Sequence, residues 1–397
     1  MSEDRVLGVA AAPGPPPAAA GGARAGAGES GQPARLPSLT GLRFAAAGGV
    51  VCVHALVFQD PATSSPSGVT VWVGRNSVAL FFVLSGYVMM RSRRPEDTTR
   101  RFWRRRAAKI LPGHVLTWCS ALVVTAAVGS SITQADSGAL ADTAALLLVH
   151  TWIPSAEYTS AGNTVCWSLA AEALFYLLFP VLARPVGRLT PRGCLAAAAL
   201  SLAVLWTLPL LSELIVDPQT LQDPQQFDAY WFLAALPPTQ LPLFLLGMVA
   251  ARLSYAAPGL PRIGVLPAAA LLVAAMTAGA RWLPDAFLWS AATSLPLALL
   301  VHAVAGLDLR RRPSLLRARV PVLLGGISYA LYLTHCHVLI VTHHLLGDRG
   351  WGTGPVLALA LPLALGVAWL LYVTVERPGT RLLGRPRPRA GSVPRQR

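Results

Sequence analysis

The sequence predicts an all-α polytopic integral membrane protein, with about ten transmembrane helices and one re-entrant or interfacial segment. Three observations carry that prediction. The 397 residues are 54% hydrophobic and only 13% charged, at a mean hydropathy of +0.52, whereas soluble domains carry about 25% charged residues. Apolar runs of the length that a bilayer requires, about 20 residues, recur along the chain. Basic residues gather in alternate loops, the pattern expected when cytoplasmic loops hold an excess of Lys and Arg.

Residues 1–36 are rich in Ala, Gly and Pro around GPPPAAAGGARAGAG. Such a composition does not build a packed core. No basic segment followed by an apolar stretch marks a cleaved signal peptide, so a disordered cytoplasmic tail is expected. Apolar runs follow near 39–58, 69–90, 110–129, 139–152, 166–183, 193–212, 230–251, 263–281, 286–306, 321–346 and 354–375. The fourth is short for an upright span and contains Asp142.

Charge decides how to treat that fourth run. If it dips in and returns on the same side, the segments sharing a side with the N-terminus carry 30 of the 33 Lys and Arg. Arg75, Arg281 and Arg349 are the exceptions. A full crossing would place Arg184–Arg192 and Arg310–Arg319 outside, against the positive-inside rule. The expected topology is therefore ten crossings within a domain of residues 37–383, with both termini cytoplasmic and a basic tail at 384–397. The net charge of +15 is then topological. The lipid bilayer is an expected partner and nucleic acid is not. The loop 213–229, with four acidic residues, reads as external, either a cap or an ordinary solvated loop.

Five cysteines, an odd number without a C-x-x-C pair, predict neither a disulfide framework nor a zinc site. There is no P-loop or dinucleotide-binding glycine pattern. Thirty-two Arg against one Lys, with abundant Ala, points to a GC-rich bacterium and hence to a bacterial inner or plasma membrane.

Ionisable residues inside hydrocarbon are costly and mark function by default. Arg43 and His54 stand in TGLRFAAAGGVVCVHALVF. Their spacing puts both on one helix face, about 16 Å apart along the axis. Ala46, Ala47 and Val50 lie between them. Two readings stay open: an interfacial anchor and a core histidine, or two stations of a site. A neutral imidazole suits general-base work. In CWSLAAEALFYLLFP, Ser168, Glu172 and Tyr176 share a face. Glu172 either orients or supports the histidine, binds substrate, or makes a structural interhelical bond.

FFVLSGY carries Ser85-Gly86, which permits close backbone approach. The basic stretch RRFWRRRAAKILP either holds a phosphate-bearing cofactor or anchors to anionic lipid. In GGISYALYLTHCHVLI, Ser328, Tyr332 and His335 lie on one face. His335 and His337, two residues apart, face different ways, so that pair predicts no metal site. His335 is the better candidate for lining a cavity.

Together these motifs resemble the acyltransferase 3 family of membrane-bound O-acyltransferases, across nearly all of residues 36–383. LPSLTGLRFAAAGGVVCVHA is similar to the family's first-span opening, with Arg43 and His54 at its Arg and His. FFVLSGY resembles the second-span signature. WSLAAEALFYLLFP places Glu172 at the family's acid. GISYALYLTH matches a late Ser-Tyr…Tyr-Leu…His pattern ending at His335, and Glu376-Arg-Pro resembles the closing element. One departure stands out. The family's Arg-x-x-Arg before Ile-x-Pro is here Arg106-Ala-Ala-Lys109, which keeps charge but loses a bidentate fork. Arg101-x-x-Arg104 is an alternative source of that fork.

The resemblance implies acyl transfer, with acetyl the expected group, from acyl-CoA to a hydroxyl of a secondary metabolite or cell-surface glycan. Acyl-CoA would be a co-substrate, and no permanently bound cofactor is expected. His54 and Glu172 are then the expected catalytic residues. Arg43, Arg101, Arg104, Arg106 and Lys109 would meet the donor's phosphates. Ser168, Tyr176, Tyr332 and His335 would line the substrate cavity. The rival expectation is a transporter or flippase of a glycan or lipid intermediate. That class usually shows internal repeats, and no convincing repeat relates the two halves.

Overall fold

The computed structural model describes residues 36–59, 69–93, 97–129, 137–215, 227–258 and 263–383. The tails (except Leu36) and residues 216–226 of the 213–229 loop lie outside the described residues. No strand occurs among the described residues. Among the described residues ten long helices form the body: α1 (Pro37–Gln59), α2 (Val69–Arg91), α3 (Thr99–Val128), α4 (Trp167–Arg188), α5 (Pro191–Ile215), α6 (Pro237–Ala256), α7 (Val265–Trp282), α8 (Ala291–Leu309), α9 (Ser328–Leu346) and α10 (Thr353–Leu371).

Eight helices among the described residues are long and apolar enough to cross a membrane, and a bent pair brings the number to nine. The chain is thus a multi-pass membrane protein. The remaining long helix, α6, is largely enclosed, with most of its residues buried. It begins at Pro237-Pro238 after a π-helical turn, Trp231–Ala235; proline suits a first turn because its missing N–H is an orphan there anyway. Gln240, Arg252 and Ser254 lower its hydropathy. They are tolerated because neighbouring helices, not lipid, cover it. A Cβ on Gly86 of α2 would lie 2.0 Å from the Phe244 carbonyl oxygen, and one on Gly247 of α6 would lie 2.0 Å from that of Val83. The two backbones touch, as small residues allow in membranes. Tyr87, Phe175 and Phe244 fill the core beside this contact, with Phe175 and Phe244 stacked at 4.7 Å.

The bent pair is Arg319–Gly326 with Ser328–Arg349, at 68°. The sequence reads 321–346 as one run. Two residues before the break, a Cβ on Gly325 would stand 1.8 Å from the Thr40 carbonyl oxygen, so the start of α1 packs directly against the elbow.

Run 139–152 does not cross. Its helix, Ala139–Leu146, has eight residues, about 12 Å long against a hydrocarbon core of about 30 Å. A turn and a 3₁₀ segment, His150–Trp152, follow. Asp142 organises this excursion: its Oδ1 accepts from Ser137 Oγ at 2.8 Å and from the Gly162 amide at 3.0 Å. Trp118 Nε1 of α3 donates to the Asp142 carbonyl at 2.9 Å. His150 is fully buried with neither ring nitrogen hydrogen-bonded among the described residues. Burial first, and nearby His114 second, push its pKa down to about 4, so it is neutral.

Candidate functional site

The start of α1 is pinned where α8 ends. Asp308 accepts from the Ser38 amide and hydroxyl, both at 2.8 Å, and a carboxylate at a helix N-terminus is favoured by the helix dipole. This contact sets the depth and rotation of α1, and hence of Arg43 and His54.

Two cavities meet inside the bundle. The first, about 170 Å³, is lined by Arg43, Ser85, Arg106, Lys109, Glu172 and Tyr176, among others. Lys109 feels the charges of Arg43 and Arg106 and, in opposition, those of Glu376 and Glu172. Three cations and one carboxylate line this cavity, which suits an anionic ligand. Glu172 Oε1 is the acceptor for Ser85 Oγ at 2.9 Å and Tyr176 O–H at 2.6 Å. The carboxylate is thereby tied across α2 and α4. The guanidinium of Arg106 lies 5.6 Å from the Tyr176 ring.

The second cavity, about 240 Å³, is lined by His54, Arg75, Trp167, Tyr230, Gln240 and Trp289, among others. Arg75 sits over the Trp289 ring at 3.1 Å, and the Tyr230 ring is 5.4 Å from it. Val78, Phe82 and Tyr332 line both cavities. Tyr332 O–H lies 2.6 Å from Ser168 Oγ and 3.1 Å from the Val165 carbonyl, which fixes the shared wall.

His54 has a specific neighbour. Its Nδ1 is 3.1 Å from His335 Nε2 and 3.1 Å from the Val50 carbonyl. His335 Nδ1 is 3.0 Å from the Leu331 carbonyl. A carbonyl only accepts, so His335 carries its proton on Nδ1 and presents a lone pair at Nε2. His54 Nδ1 therefore donates, and its basic nitrogen is Nε2. His335 is fully buried. It fixes the tautomer of His54 rather than lining either cavity.

The basic stretch divides. Arg106 and Lys109 reach the first cavity. Arg101 and Arg104 line a separate groove with Trp103, Leu382 and Leu383. Arg101 also pairs with Asp97 at 3.7 Å. The helical period explains the split: Arg104 and Arg106 are about 200° apart around α3. His337 turns the other way from His335, toward Ser120 at 3.4 Å. Sequence reasoning missed Arg75, Tyr230, Gln240 and Trp289; only Arg75 carried a signal, as a cation outside the topological count.

A family model for an acyltransferase domain matches residues 36–373. This chain belongs to the acyltransferase 3 family. It is 35% identical over 368 residues to acyltransferase MdmB of Streptomyces mycarofaciens, covering 89% of this chain and 94% of that protein. No solved structure matches it. An O-acyltransferase of this family needs a donor station, an acceptor station and a group between them that moves a proton. The two adjoining cavities are candidates for the stations, and the His54–His335 pair for the group.

Proposed function

We propose that this acyltransferase moves an acyl group, acetyl in the first instance, from acyl-CoA to a hydroxyl of a secondary metabolite or a cell-surface glycan. The observation that carries the proposal is the junction. A cavity with excess positive charge and an aromatic cavity share one wall, and the second holds a histidine whose basic nitrogen is fixed by a partner. The donor's phosphates meet Arg43, Arg106 and Lys109 from the cytoplasmic side. Its pantetheine arm then bridges the distance of about 16 Å that separates Arg43 from His54 along α1. The acceptor enters the aromatic cavity from the opposite side, its apolar faces against Trp167, Tyr230 and Trp289.

His54 Nε2 takes the acceptor's hydroxyl proton as that oxygen bonds to the thioester carbonyl carbon. The carbon–sulfur bond breaks, and the departing thiolate takes the proton from the imidazolium. His335 Nε2 accepts from His54 Nδ1–H throughout and steadies the cationic ring. Glu172, held by Ser85 and Tyr176, tunes the charge of the donor cavity. The enclosed site limits loss of the thioester to water.

The test is acyl transfer from labelled acetyl-CoA by purified protein, with and without hydroxyl acceptors, read by product and by free thiol. His54→Ala is expected to lower kcat by about 100-fold or more with unchanged expression and thermal stability. Wild-type turnover in that variant would remove His54 from the mechanism. Acceptor movement across vesicles without thiol release would favour a transporter.

A further inference from the structure

We propose that His54, His335 and Cys336 form a site for a thiophilic transition metal of the Zn²⁺ class, and that its occupancy switches the enzyme off. The ligand atoms of these three side chains all lie within 4.8 Å of one another. His54 Nδ1 and His335 Nε2 are 3.1 Å apart, and Cys336 Sγ is 3.4 Å from His335 Nε2. Tetrahedral zinc, with bonds of about 2.05 Å to nitrogen and 2.3 Å to sulfur, requires separations of about 3.3 Å and 3.6 Å. Both pairs therefore need to open by only about 0.2 Å. His54 Nδ1 and Cys336 Sγ, within 4.8 Å of each other, must close to about 3.6 Å, so metal binding draws His54 toward the thiolate.

A second feature points the same way. Metal-binding histidines are generally oriented by a hydrogen bond from the other ring nitrogen to a carbonyl or carboxylate. His335 has that bond already, from Nδ1 to Leu331, with Nε2 turned to the cluster. One thiolate and two imidazoles are a donor set that selects Zn²⁺ and Cu⁺ over Mg²⁺ or Ca²⁺. His54 opens onto the aromatic cavity, which supplies a route in and room for a water as fourth ligand.

The chemistry of inhibition follows from the tautomer. The metal bonds His54 at Nδ1, and the ring's single proton moves to Nε2. The nitrogen that was the base becomes a donor. Cys336 releases its thiol proton to solvent, so one proton leaves for each metal bound. The binding site stands on geometry alone, whereas the loss of activity also rests on His54 being the base.

Co²⁺ distinguishes the two parts. Added to metal-stripped protein in detergent, it is expected to give a thiolate-to-cobalt charge-transfer band in the near ultraviolet, displaced by Zn²⁺. Cys336→Ala and Cys336→Ser should both lack the band. Zn²⁺ should lower wild-type acyl transfer at least about tenfold, reversibly with EDTA, while each Cys336 variant keeps its uninhibited rate and needs about tenfold more Zn²⁺. No band at excess Co²⁺, or an equal band in the Cys336 variants, would overturn the site. A band with unaffected turnover would overturn the switch. If no acyl transfer occurs under any condition, the proposed function fails, and the cobalt spectrum still decides the metal site.

Discussion

The two cavities share a wall of Val78, Phe82 and Tyr332, yet they are built from opposite materials. One is lined by Arg43, Arg106, Lys109 and Glu172. The other is lined by Trp167, Tyr230 and Trp289, with Arg75 over an indole face. Charge in a low-dielectric interior acts strongly and over distance, so the first suits a ligand that carries its own charge. Aromatic walls act by contact area and ring electrostatics, so the second suits a ligand recognised by shape. The pairing fits a bisubstrate enzyme whose donor side is generic and whose acceptor side sets specificity. Variants on either side can break that division of labour or sharpen it.

The largest split is expected at Lys109. Lys109→Met leaves Arg43 and Arg106 as the cations lining the first cavity, opposite Glu172. Losing a charge-assisted contact of about 1.5–3 kcal/mol should raise KM for acyl-CoA by about 10- to 100-fold, with acceptor KM unchanged. Lys109→Arg should restore most of the donor affinity, because charge matters more than side-chain type there. Equal rises in both KM values would mean that the cavities are not separate stations.

A smaller, opposite effect is expected at Trp289. Trp289→Ala removes the ring under Arg75 and beside Tyr230. Loss of a large aromatic anchor typically costs about 1–2 kcal/mol or more, which corresponds to an acceptor KM raised by about tenfold. Donor KM should stay within about twofold. A rise confined to the donor would place the acceptor elsewhere.

The same contrast explains what could be read in the sequence. Arg43, His54 and Glu172 stand out because ionisable groups are expensive in an apolar run, and the helical period sets them on faces; Lys109 stands out only as the lone Lys of the basic stretch. The shortness of residues 139–152 and the balance of basic loops foretold a segment that does not cross. Trp289, in DAFLWSAATS, gave no such signal, since tryptophan is ordinary at a membrane boundary. The face that His335 shares with Tyr332 suggests a cavity-lining role, whereas His335 lines neither cavity and instead meets His54, 281 residues away. A single sequence holds no register between α1 and α9. The packing of the elbow was hidden for the same reason, since Gly325 meets the carbonyl of Thr40 from a distant part of the chain.

The finest test concerns the basic stretch itself, where four of the expected phosphate contacts lie within nine residues of one helix. Spacing sorts them into two faces. Arg106 and Lys109 share the donor cavity, and Arg101 and Arg104 share the groove beside Leu382 and Leu383. A groove that joins exposed Trp103 and Leu382 to guanidinium groups fits the surface of a bilayer with anionic headgroups. Arg101→Ala and Arg104→Ala, which line the groove and not the donor cavity, should therefore change donor KM by less than about twofold, whereas Arg106→Ala should raise it several-fold. Measuring the three variants in detergent and again in vesicles with and without anionic lipid separates the roles. If Arg101→Ala matches Arg106→Ala in detergent, where no anionic lipid is present, the donor's phosphates extend out of the cavity and around α3, and the boundary of the donor station must be redrawn to include the groove.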